Sequence, residues 1–124
     1  MALVERFEDL TCWQESRSLV RMVYQACRKG ELAKYFETRV QLKRAALSVM
    51  NNIAEGFGRR FFEKEFIRFL DISQGSSCEV RSMTYVLEDM EYLALDQITP
   101  IRVKSEQAGL KILALINHLR SRKR

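Results

Sequence analysis

Four residues in this chain have the types and spacing that acid–base chemistry uses. Asn52 and Glu55 stand three apart in one apolar segment, and Ser76 and Glu79 stand three apart in another. On helices, residues three apart share a face. Two carboxylates brought together from two helices could serve as acid and base. The same residues suit a buried polar layer that fixes how two helices meet. The layer is the favoured reading: Asn52, Glu55, Ser76 and Glu79 form it, with Arg44 or Arg81 neutralising a carboxylate. No catalytic residue is assigned, and the protein is expected not to be an enzyme.

Other chemistries find less. A di-iron bundle needs Glu-x-x-His on two helices. His118 is the single histidine, and Leu115 stands three residues before it. It is expected on a helix surface near a C-terminus. Cys12, Cys27 and Cys78 are odd in number and lack metal-ligand spacing. They read as reduced core or near-core residues of a cytoplasmic protein. Gly56-x-Gly58 lacks the Lys-Ser/Thr and the preceding strand of a phosphate loop. No metal or cofactor is expected.

The basic residues form a pattern of their own. Arg59, Arg60, Lys64 and Arg68 gather after an apolar segment, with Phe57, Phe61 and Phe62 among them. Cations hold phosphates, and aromatic rings stack on unpaired bases. The plain alternative is core-capping phenylalanines beside solvated arginines. A second cluster, Arg120, Arg122, Lys123 and Arg124, ends the chain. It also suits the dipole of a terminal helix turn. Net charge is +5 and uneven. Residues 1–60 carry 11 basic and 7 acidic groups, a net +4. Residues 61–100 carry 3 and 8, a net −5; residues 101–124 carry 7 and 1, a net +6. Such a balance permits a polyanionic partner, RNA first.

The elements that carry these residues are helices. At 124 residues the chain reads as one domain with a real core. One Pro and five Gly leave few breakers. No apolar run approaches the roughly 20 residues of a membrane span, and the N-terminal residues lack a secretory apolar segment. Residues 1–8 read as an arm, with Phe7 free to dock. Thr11-Cys12-Trp13-Gln14 has the form of a capping box opening helix 1, and Gly30 closes it. Helix 2 is expected from Thr38 to Phe57, stopped by Gly56 and Gly58. Helix 3 is expected from Glu63 to Tyr92, with close helix approach at Gln74-Gly75-Ser76-Ser77. Its second apolar stripe, Ile67, Leu70, Cys78 and Tyr85, suggests contact beyond the chain's own core. Thr99-Pro100 is expected to open helix 4, which runs to about Arg120 and leaves 120–124 as a basic tail. Short links between four amphipathic helices give an all-α, antiparallel up-and-down four-helix bundle.

Several motifs together resemble a known family. They are Asp9-Leu10 with Trp13-Gln14, the run Gln41 to Val49 followed by Asn52-Ile53-Ala54-Glu55-Gly56, Glu65 to Leu70, and Gly75-Ser76-Ser77-Cys78-Glu79. Over about residues 7–119 the chain resembles the four-helix-bundle proteins encoded within intervening sequences of bacterial 23S ribosomal RNA genes. It departs from them at Glu37-Thr38-Arg39 and at Met50, where Gly-Leu-Thr and Pro are frequent. The resemblance implies an antiparallel bundle that assembles as a homopentamer. It also implies kinship with the accessory variability protein of diversity-generating retroelements, a basic pentamer that works with RNA. The expected function is thus a non-enzymatic oligomeric module that binds RNA or a ribonucleoprotein. The alternative is a structural oligomer that recruits a protein partner.

Overall fold

A computed structural model describes residues 4–122. Four α-helices account for most of them: α1 Thr11–Ala26, α2 Phe36–Gly58, α3 Glu63–Asp89 and α4 Leu95–Ser121. Single 3-10 turns, Phe7–Asp9 and Glu31–Lys34, precede α1 and α2. Each helix packs on the next, and α4 closes back on α1. The result is the all-α, antiparallel four-helix bundle. Among the described residues no helix is long and apolar enough to cross a membrane.

Helical spacing of apolar residues builds the core. Leu19 and Val23 of α1, Ala46, Val49 and Ile53 of α2, Leu70, Val80 and Leu87 of α3, and Ile98 and Ile112 of α4 are fully buried. Leu70 therefore belongs to the core and not to an outer stripe. The arm docks through Phe7, whose ring meets Trp13 edge-on at 5.2 Å. Its lock is Gln14, which donates to the Glu8 carbonyl at 2.9 Å. Small polar residues on the buried faces satisfy themselves on backbone: Ser73 Oγ donates across to Val49 O at 2.6 Å, and Ser16 Oγ to Cys12 O at 2.7 Å.

α1 and α3 start at Thr11 and Glu63 as expected, but the capping and the other two starts differ. Leu10, Tyr35, Phe62 and Ala94 precede the four helices, and none caps with its side chain. Thr11, Thr38 and Thr99 all lie inside helices, so α2 starts two residues early and α4 four. Pro100 sits within α4, and Thr99 Oγ1 donates to Leu95 O at 2.9 Å. Gly30 does not close α1, which ends at Ala26; it stands before the Glu31–Lys34 turn with a φ of +57°, a conformation that glycine tolerates.

Gly56 does not stop α2. It is buried where α2 crosses α3, and an added Cβ would lie 2.8 Å from Phe69 Cβ and 3.1 Å from Phe66 Cδ1. The close approach expected at Gly75 is absent: nothing lies within 4 Å of a Cβ there. On that helix it occurs at Ser77, whose hydroxyl would be 2.8 Å from a Cβ on Gly109 of α4.

The expected polar layer is only half present. Ser48 Oγ of α2 and Ser76 Oγ of α3 share a hydrogen bond of 2.8 Å. Asn52 Nδ2 donates to Ser48 Oγ at 3.0 Å and to Ser48 O at 2.9 Å. Glu55 and Glu79 are not part of it; both are exposed. Three residues along a helix rotate a side chain by about 60°, which is enough to turn each carboxylate from the interface edge to water. Glu55 pairs instead with Arg59 at 3.6 Å. Neutral Ser and Asn satisfy the crossing without desolvating a charge.

Candidate nucleic-acid interface

The end of α2, the start of α3 and the end of α4 meet at one end of the bundle. Backbone amides of Arg59 and Arg60 donate to Gly56 O and Phe57 O at 2.9 and 3.1 Å, and Phe62 N to Arg59 O at 2.9 Å. This tight turn throws Phe61 and Phe62 outward, 83% and 71% exposed. They are not core caps. Phe57 and Phe66 fill that role, ring against ring edge-on at 6.1 Å.

The sequence-predicted cations fall into two groups. Arg59 bridges Glu55 and Glu65 at 3.6 and 3.7 Å. Arg68 donates to both oxygens of Glu65, at 3.2 and 3.3 Å. Those hydrogen bonds, with the charges of Arg68 and Arg59, hold the Glu65 carboxyl below its ordinary range. Arg120 approaches Asp71 of α3 at 3.8 Å. The charge of these three arginines is thus met locally. Arg60, Lys64 and Arg122 make no ion pair among the described residues. Lys123 and Arg124 lie outside the described residues.

Arg60 is placed by rings and backbone. Its guanidinium lies 4.2 Å from the ring centre of Phe57 and 4.7 Å from that of Phe61, and donates to Phe57 O at 3.1 Å. Cation–π contact leaves the charge unneutralised. The two basic clusters do share this end: Arg60 and Arg122 line one cleft of about 190 Å³. Leu10, Phe57, Phe66, Leu115 and Leu119 make its apolar walls, and Phe61, Glu63 and His118 border it.

Sequence reasoning missed His118, expected at the surface. It is half-buried, and its Nε2 is buried without a hydrogen-bond partner among the described residues. Its spacing from Leu115 and Leu119 places it beside the core stripe of α4, which was the available signal. Two local neutralising pairs were also readable, Glu55 four before Arg59 and Glu65 three before Arg68. The Arg59–Glu65 and Arg120–Asp71 contacts need the tertiary fold.

Acid–base or thiol chemistry finds little support. Glu55 and Glu79 are exposed and belong to separate surroundings. Burial pushes the Cys12 thiol up to about 11 and raises that of Cys27, so neither is a ready thiolate. Cys78 is exposed. Among the described residues no three His, Cys, Asp or Glu stand together as metal ligands.

Comparisons agree with this architecture. A protein of unknown function from the S23 ribosomal protein family of Bacteroides thetaiotaomicron VPI-5482 has a similar crystal structure. The TM-score is 0.76 at 22% identity, over 86% of this chain and 95% of that one. At that identity the likeness shows the fold. Among curated proteins there is no match. The sequence profile described as 23S rRNA-intervening sequence protein matches residues 8–114, which takes in all of α1, α2 and α3 and most of α4. The chain belongs to the 23S rRNA-intervening sequence protein family.

Proposed function

We propose that this protein is a non-enzymatic, homo-oligomeric helical-bundle module that binds RNA or a ribonucleoprotein through its basic end. One observation carries the reading: Arg60, Lys64 and Arg122, free of carboxylate partners among the described residues, stand at the same end as the exposed rings of Phe61 and Phe62. Cations without internal partners release counterions when they meet phosphate. The test is the salt dependence of affinity for a labelled single-stranded RNA. With three phosphates neutralised per subunit, log K should fall with log salt at a slope of about −2 per subunit engaged. Affinity that ignores salt would refute it.

The assembly is proposed to be a homopentamer. Its support is an outward face on α2 and α3. Ile72, Glu79 and Val86 are seven apart on α3, hence on one face. Glu79 borders a shallow groove with Phe36, Val40 and Arg44 of α2. Phe36, Ile72 and Val86 are 68, 42 and 43% exposed, apolar groups that a second subunit would cover; the number five rests on the family resemblance. Light scattering giving a monomer at micromolar concentration would overturn the assembly. The same face favours a second reading, recruitment of a protein partner, if RNA binding fails.

A further inference from the structure

The cleft at the basic end has a size and a lining that narrow its ligand. Pockets for drug-sized ligands run about 300–1,000 Å³. At about 190 Å³ this one takes a single ring and not a whole cofactor. Its walls, Phe57, Leu115 and Leu119 among them, are apolar; its rim holds two cations, Arg60 and Arg122, against one carboxylate, Glu63, a net positive charge. The ligand is therefore a small apolar body joined to an anion. Phe61, on the same rim, is 83% exposed; Arg60 lies 4.7 Å from its ring centre, and a flat body can stack on the side that Arg60 does not cover. His118 adds a ring nitrogen that has no hydrogen-bond partner among the described residues, and a base edge supplies donors and acceptors. We infer that the cleft takes one unpaired nucleobase, stacked on Phe61, with its adjoining phosphate between Arg60 and Arg122. This rests on the RNA reading above and sharpens it: the protein selects single strands, since a base paired in a duplex is not free to enter.

The chemistry is shared by a base within a strand and by a free nucleotide, so the experiment has arms for both. Fluorescence anisotropy compares a labelled single-stranded RNA with a duplex of the same sequence at one salt concentration. The wild-type protein should favour the single strand. Phe61→Ala should lower single-strand affinity about tenfold, the loss of one stacked base, and leave duplex affinity unchanged. Leu115→Phe, which fills the cleft, should act likewise. Phe62→Ala is the control: its ring is as exposed, but it does not line the cleft. If Phe61→Ala and Phe62→Ala act alike, or if single strand and duplex weaken together, the cleft is not a base site and the RNA reading stands on charge alone. If the wild-type protein holds neither RNA, the RNA reading fails. Titration with uridine and adenosine monophosphates, followed by NMR, then decides the cleft. Shifts at Phe61 and His118 keep it as a mononucleotide site; no shifts overturn it as well.

Discussion

The guanidinium of Arg60 lies 4.2 Å from the ring centre of Phe57. Phe57 is buried and packs on Phe66, so the core itself holds the cation in place. A surface arginine normally gives up rotamer entropy when it binds a phosphate. Arg60 is already ordered, and it makes no ion pair among the described residues. Two residues away, Phe62 stands just before α3 and is 71% exposed. One short turn thus presents a fixed charge and exposed rings together.

Gly56→Ala should destabilise the bundle by about 1–3 kcal/mol, since its Cβ would meet Phe69 Cβ at 2.8 Å and neither helix yields freely. Urea unfolding followed by circular dichroism measures it. Gly75→Ala, where nothing lies within 4 Å, should be neutral or slightly stabilising. Equal effects at the two sites would contradict the described crossing of α2 and α3.

Ser48→Ala should cost about 1 kcal/mol, because it removes the hydroxyl that Ser76 and Asn52 share at the half-buried crossing. Glu55→Ala should stay within about 0.5 kcal/mol, since its carboxylate is exposed and its pair with Arg59 is a surface one. A large loss on Glu55→Ala, with none on Ser48→Ala, would restore the carboxylate layer.

Glu65 restrains two of the basic residues. Its carboxyl lies below its ordinary 4.5, chiefly through the hydrogen bonds from Arg68. A lowered folded value means that the pairing stabilises the fold above pH 4.5 and loses that effect as pH falls through the lowered value. Glu65→Gln should therefore flatten the acid side of the stability profile. At neutral pH it should also free the charge of Arg68 and leave Arg59 with Glu55 alone, raise RNA affinity and steepen its salt dependence. Unchanged RNA binding would mean that those arginines do not face the nucleic acid.

Much of the bundle was legible because burial imposes a period on the sequence. Val49, Ile53 and Ile112 could be read as core from spacing alone, and they are fully buried; Ile98, equally buried, fell before the expected start of helix 4. The starts of α1 at Thr11 and α3 at Glu63 were legible, but those of α2 and α4 were not. The rule that Ser or Thr marks a start presumes a side-chain cap, and here Leu10, Tyr35, Phe62 and Ala94 stand at those positions without one. Gly56 looked like a stop because a sequence does not show which glycine faces a neighbouring helix. Glu55 and Glu79 looked like partners because they flank apolar stripes, yet each is turned just past the contact. At the basic end, composition located the cluster. Which cations stay unpaired depends in part on contacts such as Arg120–Asp71, which join distant parts of the chain.

Paired and unpaired arginines should differ most in how they bind RNA. The direct measurement is single-strand RNA affinity as a function of salt, for the Arg60→Ala/Arg122→Ala double variant and for Arg59→Ala. Each lost phosphate contact removes about 0.7 from the slope on a single strand. The double variant should therefore lose about 1.4 per subunit engaged and bind all sequences more weakly. Arg59→Ala, whose charge Glu55 and Glu65 already meet, should change the slope little. Equal losses in the two proteins, or an unaltered slope in the double variant, would contradict the account.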